Sequence, residues 1–227
     1  MPLRKQGNLI KGAAAIASLV AVSAITPAIA SAACEQAPTT KAFTKIGDNA
    51  DYSVAPGGSF ENGIAGWTLT GGAKIISGNE TLGFLKGSVV PGSKSLALPV
   101  GATATSPEFC VDETNPHFRF MAKPDSSMSG YKAIVIYRNA SGAITNAQFT
   151  SSADIKWGDG AWSASAISPL ATKIPLSATN PTASVQLMFV STGNKVAVGI
   201  GFWGKFTGGD VGQTVIDSVM VDPYRRG

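Results

Sequence analysis

The sequence predicts an all-β chain folded as an antiparallel β-sandwich of jelly-roll type with one disulfide, and three observations carry that prediction. Charged residues make up only 14% of the chain, where about 25% is usual, and its 26 glycines are in excess, so turns are plentiful and solvated helix faces scarce. Short apolar or alternating runs are separated by Gly, Pro, Asn and Ser at the spacing of a sandwich. No run keeps a 3.6-residue apolar period long enough to form a helix. The 44% apolar content disfavours disorder.

Residues 1–33 read as a secretory signal peptide. Arg4, Lys5 and Lys11 form a basic start, 13–25 is an uncharged and mostly apolar run, and Pro27 to Ala33 ends in small residues. The apolar run falls well short of the ~20 residues that a membrane-spanning helix needs. Without this leader, 15 basic and 14 acidic residues remain, a net charge of +1. The basic character of the whole chain is therefore largely its export signal, and no basic patch remains to bind nucleic acid.

Residues 34–55 read as a polar lead-in and 56–227 as one sandwich domain. Strands are predicted over 67–76, 94–100, 106–111, 117–123, 132–138, 144–150, 162–167, 183–191, 196–202 and 215–221. Asn139-Ala140-Ser141-Gly142 reads as a hairpin loop, and Asp159-Gly160 as a tight turn between Trp157 and Trp162. Alternation puts Phe118, Phe120 and Ala122 on one face, opposite Arg119, Met121 and Lys123. It likewise sets Val185, Leu187 and Phe189 against Gln186 and Met188. The run 133–137 is apolar on both faces, as in a central strand covered on both sides.

Cys34 and Cys110 are the only cysteines, and both follow the leader, so they are expected to pair in an oxidising compartment. The alternative makes Cys34 a lipidated first residue that anchors the protein at the cell surface. The single histidine, His117, opens a strand, where a structural or solvent-facing role is expected. A hydrolytic triad would have to take it as base, and no Gly-x-Ser-x-Gly elbow accompanies it, while the His and Cys count removes a zinc site built from several such ligands. Asp112, Glu113, Asp125, Asp154, Asp159 and Asp210 leave a carboxylate-based hydrolase open, although no spacing singles out a pair. Gly199-Ile200-Gly201-Phe202-Trp203-Gly204 spells a dinucleotide fingerprint, but the residues after it cannot start the helix that motif requires.

The run Gly57-Gly58-Ser59-Phe60-Glu61-Asn62-Gly63-Ile64-Ala65-Gly66-Trp67, then Ser95-Leu96-Ala97-Leu98, then Ile216-Asp217-Ser218-Val219-Met220-Val221, resembles the opening, middle and closing strands of carbohydrate-binding modules with the galactose-binding-like jelly roll. The resemblance covers about 56–223. It implies a secreted, non-catalytic domain that binds poly- or oligosaccharide, with a structural calcium (Ca2+) held by Glu61 and Asp217. Independently, Asp217 is expected to share a strand face with Val219 and Val221, pointing inward at the sheet edge and needing a partner. Sugar recognition needs rings that stack on pyranose faces with polar groups beside them. Trp157 and Trp162 are the candidate rings, and Arg119, Tyr137 and Gln186 the candidate polar lining of the non-core face. The alternative on the same fold is an extracellular or cell-surface domain that recognises an envelope or extracellular protein instead of a sugar.

Overall fold

A computed structural model describes residues 34, 37–81, 92–112, 114–125, 129–139, 141–151, 160–170, 182–193 and 212–222. Alternating side chains build two antiparallel sheets packed face to face. The seven-stranded sheet runs β3 (Lys74–Ser77), β4 (Lys94–Pro99), β13 (Gln213–Asp222), β7 (His117–Pro124) and β10 (Ser163–Ala164). β1 (Ser53–Val54) pairs with β13, and β11 (Ser168–Pro169) with β7. The six-stranded sheet runs β2 (Thr68–Thr70), β5 (Thr103–Thr105), β12 (Thr182–Gly193), β8 (Ser129–Arg138) and β9 (Ile144–Ser151), with β6 (Phe109–Asp112) also on β12. Among the described residues the one helical element is a 3-10 turn at Thr44–Ile46.

The core lies between the sheets, where Phe118, Phe120 and Ala122 of β7 face Val185, Leu187 and Phe189 of β12, as the alternation predicts. Phe120 meets Phe189 edge-on at 4.8 Å, and Trp67 stacks on Phe189 at 5.9 Å while its indole N–H donates to the Pro56 carbonyl at 2.9 Å. A buried indole thereby keeps its polar end satisfied. The hairpin between β8 and β9 also forms as predicted. Asn139 Oδ1 accepts the amides of Ser141 and Ala143, and Gly142 closes the turn with φ 80°.

Four segments differ from expectation. The run 67–76 breaks at Gly71 and Gly72, whose positive φ values turn the chain so that β2 joins one sheet and β3 the other. A Cβ on Gly71 would lie 2.8 Å from the Cα of Ala102, so the crossing needs glycine twice over. In 106–111, Pro107 supplies no amide, and pairing stops after β5 and resumes at β6, with Ser106 Oγ accepting the Leu187 amide at 2.9 Å. The segment 162–167 contributes only β10, and β11 lies just beyond it. Between them Ser165 Oγ accepts the Phe120 amide. In β13 a bulge at Ser218, with φ 48°, resets the face alternation. Ile216, Val219 and Val221 therefore enter the core while Asp217 and Met220 take the outer side, so Asp217 does not share a face with Val219 and Val221. The predicted strand 196–202 lies outside the described residues.

The lead-in is part of the sandwich. Thr40 pairs with Tyr52 and β1 pairs with β13, which lays Ala42, Phe43 and Tyr52 over Met121 and Met220 as a second buried cluster. The disulfide joins Cys34 to Cys110 with Cα atoms 5.4 Å apart, taking the Cys34 sulfur that lipid attachment would need.

Candidate functional site

Each sheet has an outer face, and strand register decides which side chains each presents. On the seven-stranded sheet, Arg119 of β7 points outward as its alternation requires, yet it is not free to meet a ligand. Residues 40–52 cover it, and its guanidinium donates to Asp48 at 2.6 Å and twice to the Ser165 carbonyl while lying 4.9 Å from the Phe43 ring centre. Tyr52 donates to the same Asp48 oxygen at 2.7 Å. Burial pulls the Asp48 carboxyl up, but hydrogen bonds from Tyr52, Ala50 and Arg119 outweigh it and hold the group below the usual carboxylate range. Arg119 is thus a buried clasp. The physical reason is a partner 71 residues away in sequence, which alternation alone does not reveal. Trp162 borders the same cluster, half-buried, with the Lys123 ammonium 5.4 Å from its ring centre. Trp157 lies outside the described residues.

Tyr137 is also placed differently from expectation. It has the parity of Ala133 and Val135, turns into the core at 2% exposure, and donates to the Leu170 carbonyl at 2.9 Å. The central strand β8 is covered on its inner side, while on its outer side Ile136 is buried and Ile134 only half-buried.

The outer face of the six-stranded sheet is the open one. Register sets Phe149 of β9, Ile134 of β8, Met188 of β12, Thr105 of β5 and Thr68 of β2 in one row across five strands. The next row carries Ala147, Ile136 and Gln186. Phe149 is 69% exposed, an unusual state for a large ring held on a regular strand. Gln186 takes its predicted place on this face, where its amide donates to the Ser106 carbonyl at 2.9 Å and accepts from Arg138 Nε at 2.8 Å. Arg138 also reaches Glu108 at 3.1 Å, and Ser184 Oγ donates to Glu108. An apolar stripe is therefore bordered by polar groups whose positions are locked by one another. Phe149 was legible in principle, because counting back through the hairpin loop pairs it with Ile134 on the face opposite Val135.

On the central strand β13, Asp217 is 2% exposed, with its two carboxylate oxygens accepting the amides of Glu80 at 3.0 Å and Ser218 at 2.7 Å. Burial pushes the carboxyl up to about 7 against those hydrogen bonds, and the nearby Glu80 and Glu61 charges add to the rise. Glu61 Oε1 accepts the amides of Ser93 and Lys94 at 2.9 and 2.8 Å, which ties the opening motif to β4. These are hard oxygen donors of the kind calcium takes, and like charges so close suit a cation. Among the described residues no three acidic, His or Cys side chains converge as a metal cage, so any ion here draws on backbone carbonyls or water as well.

Of the other titratable candidates, His117 Nδ1 lies 3.5 Å from Asp222 at the strand end. Asp112 Oδ1 is committed to the amide and hydroxyl of Thr114, and Asp125 Oδ1 to Ser129 and the Gln213 amide. Glu113, Asp154, Asp159 and Asp210 lie outside the described residues. Among the described residues no helix is long and apolar enough to cross a membrane.

No protein-family model and no curated protein matches the chain. Solved structures similar to it include TmCBM61 in complex with β-1,4-galactotriose, at 11% identity and a TM-score of 0.39, covering 75% of this chain and 97% of that one. The family 11 carbohydrate-binding module of the cellulosomal cellulase Lic26A-Cel5E of Clostridium thermocellum matches at 10% identity and a TM-score of 0.33, over 70% of this chain and 86% of that one. The enzymatically active domain of tailspike protein 4 of bacteriophage CBA120 matches at 15% identity and a TM-score of 0.40, over 74% of this chain. This chain spans only 21% of that tailspike domain.

Proposed function

We propose that this protein is an exported, non-catalytic β-sandwich that binds a poly- or oligosaccharide on the outer face of its six-stranded sheet. The observation that carries this reading is Phe149, whose exposed ring stands in register with Ile134 and Met188 on the same face that carries, further along the strands, the locked Arg138, Gln186 and Glu108 side chains. A flat ring on a face that also carries fixed donors and acceptors matches the stacking face and hydroxyl groups of an extended saccharide. Trp157 is assigned as a second stacking ring on the sequence pattern alone. Export is supported by the leader-like residues 1–33 and by a disulfide of the kind that persists in oxidising compartments. A structural calcium is part of the reading, with Asp217 and the free lone pairs of Glu61 as its acidic ligands. Its positive charge would offset the repulsion at this end of the sandwich.

The test is a screen of immobilised plant, fungal and bacterial polysaccharides, followed by titration of the best binder with the wild type and Phe149→Ala. The substitution is expected to weaken binding about tenfold while leaving the fold intact. A silent screen, or affinity untouched by Phe149→Ala, overturns the proposal. Capture of an envelope or extracellular protein through the Phe149 face, with the polysaccharides silent, would move the assignment to protein recognition.

A further inference from the structure

We infer that the polysaccharide taken by this face is acidic, its sugar carboxylates being met by Lys132. This inference rests on the carbohydrate reading above and narrows it to a ligand class. Lys132 is an exposed residue of β8 with the outward parity of Ile134 and Ile136. Its register partner is Ser151, two positions along β9 from Phe149, so Lys132 and Phe149 are diagonal neighbours on one face, roughly 7–8 Å apart. An ammonium on a flexible stem reaches past such a ring with ease.

Three features of the face give the lysine meaning. The other cation of the face among the described residues, Arg138, is already spent on Glu108, Gln186 and the Gly142 carbonyl. Lys132 has no carboxylate within ion-pair distance among the described residues. The acidic side is remote, since Glu108 bonds to Ser184 while Lys132 is paired with Val190, six residues or about 20 Å further along β12. Among the described residues, the open face therefore has one end where charges cancel and another where the Lys132 ammonium is the charge beside the exposed ring. Edge protection, a common reason for a lysine on a strand, does not apply, because β8 is flanked by β12 and β9. Phe149 itself has no polar atom with which to tell one sugar from another, so discrimination at that end falls to its neighbour.

The experiment compares the full chain's affinity for polygalacturonate with that for the same polymer fully methyl-esterified, which keeps the rings and removes the charge. The expected result is a preference of up to about fivefold for the charged form at low salt, the scale of one exposed ion pair. Lys132→Met should abolish that preference and Lys132→Arg should keep it. Equal binding of both forms by the wild type overturns this inference while leaving saccharide binding in place. Binding of neither form, nor of any other polysaccharide, by a protein that unfolds cooperatively overturns the underlying reading instead. Dextran sulfate against dextran is the control for source: a sulfate preference that equals the carboxylate one and survives Lys132→Met marks a plain polyelectrolyte effect and also overturns the inference.

Discussion

The two outer faces of the sandwich start from the same strand alternation and reach opposite ends. On the seven-stranded sheet the outward residues Met121, Met220 and Arg119 are sealed by the chain's own lead-in, which brings Phe43, Tyr52 and Asp48 as apolar cover and counter-charge. On the six-stranded sheet the outward residues Ile134, Met188, Lys132 and Phe149 receive no comparable cover from the described residues, and the ring and the ammonium face water. A charge on the first face is thus a structural element whose loss is felt by the fold. A charge on the second is available to something else.

The strongest way to break this comparison is to release the lead-in at its root. Cys34 is tied to Cys110 of β6, closing a loop with a sequence separation of 76. The chain-entropy model gives up to about 4.5 kcal/mol for such a closure. Replacing both cysteines by serine should lower the urea midpoint accordingly, and an unchanged midpoint would mean that the lead-in is held by its packing alone. Polysaccharide binding per folded molecule should survive, because Phe149 and Lys132 belong to β9 and β8.

Next in size is the pH response of Asp217, which lies on the outer side of the covered sheet opposite Met121. Its carboxyl titrates near 7 when folded, mainly because burial disfavours its charge, and near 4 when unfolded. Between those values the folded state holds the proton more tightly, so stability falls as pH rises, by up to roughly 4 kcal/mol across the interval. In chelator, thermal unfolding of the wild type should therefore show a midpoint that drops from pH 4 to 7, and Asp217→Asn should remove that component of the slope. Calcium added at pH 7 should raise the wild-type midpoint and leave Asp217→Asn unmoved. A midpoint indifferent to calcium removes the ion from the reading without touching the open face.

The sequence made the core legible and the outer faces only half so, for a physical reason. Phe118, Phe120, Val185, Leu187 and Phe189 are set by a period of two within single strands, and that period survives folding. Asp217 is set by a bulge at Ser218, where a non-glycine residue takes φ 48° without any composition signal. Arg119 is set by Asp48 across a long stretch of chain, and no local pattern encodes that pairing. Tyr137 was within reach, since its parity with Val135 already turns it inward, but its hydroxyl suggested the wet side. Its actual partner, the Leu170 carbonyl, belongs to a distant segment. Phe149 shows the converse, an aromatic whose outward position follows from hairpin register alone.

The smallest effect gives the sharpest contrast, because it sets one cation of each face against the other. Arg119→Met keeps most of the side chain's length and apolar stem but removes the charge, leaving Asp48 beneath the lead-in with the Tyr52 hydroxyl and the Ala50 amide as its remaining partners. Breaking one side of a buried pair typically costs about 3 kcal/mol or more. Tyr52 and Ala50 still solvate the carboxylate, which sets the expectation at about 3 kcal/mol. Lys132→Met, the same kind of change on a central strand of the open sheet, should shift stability by less than about 0.5 kcal/mol. Urea denaturation of the two variants side by side decides the matter. Equal losses would show that the lead-in does not make Arg119 structural, whereas the unequal result leaves Lys132 as a cation free to serve a ligand.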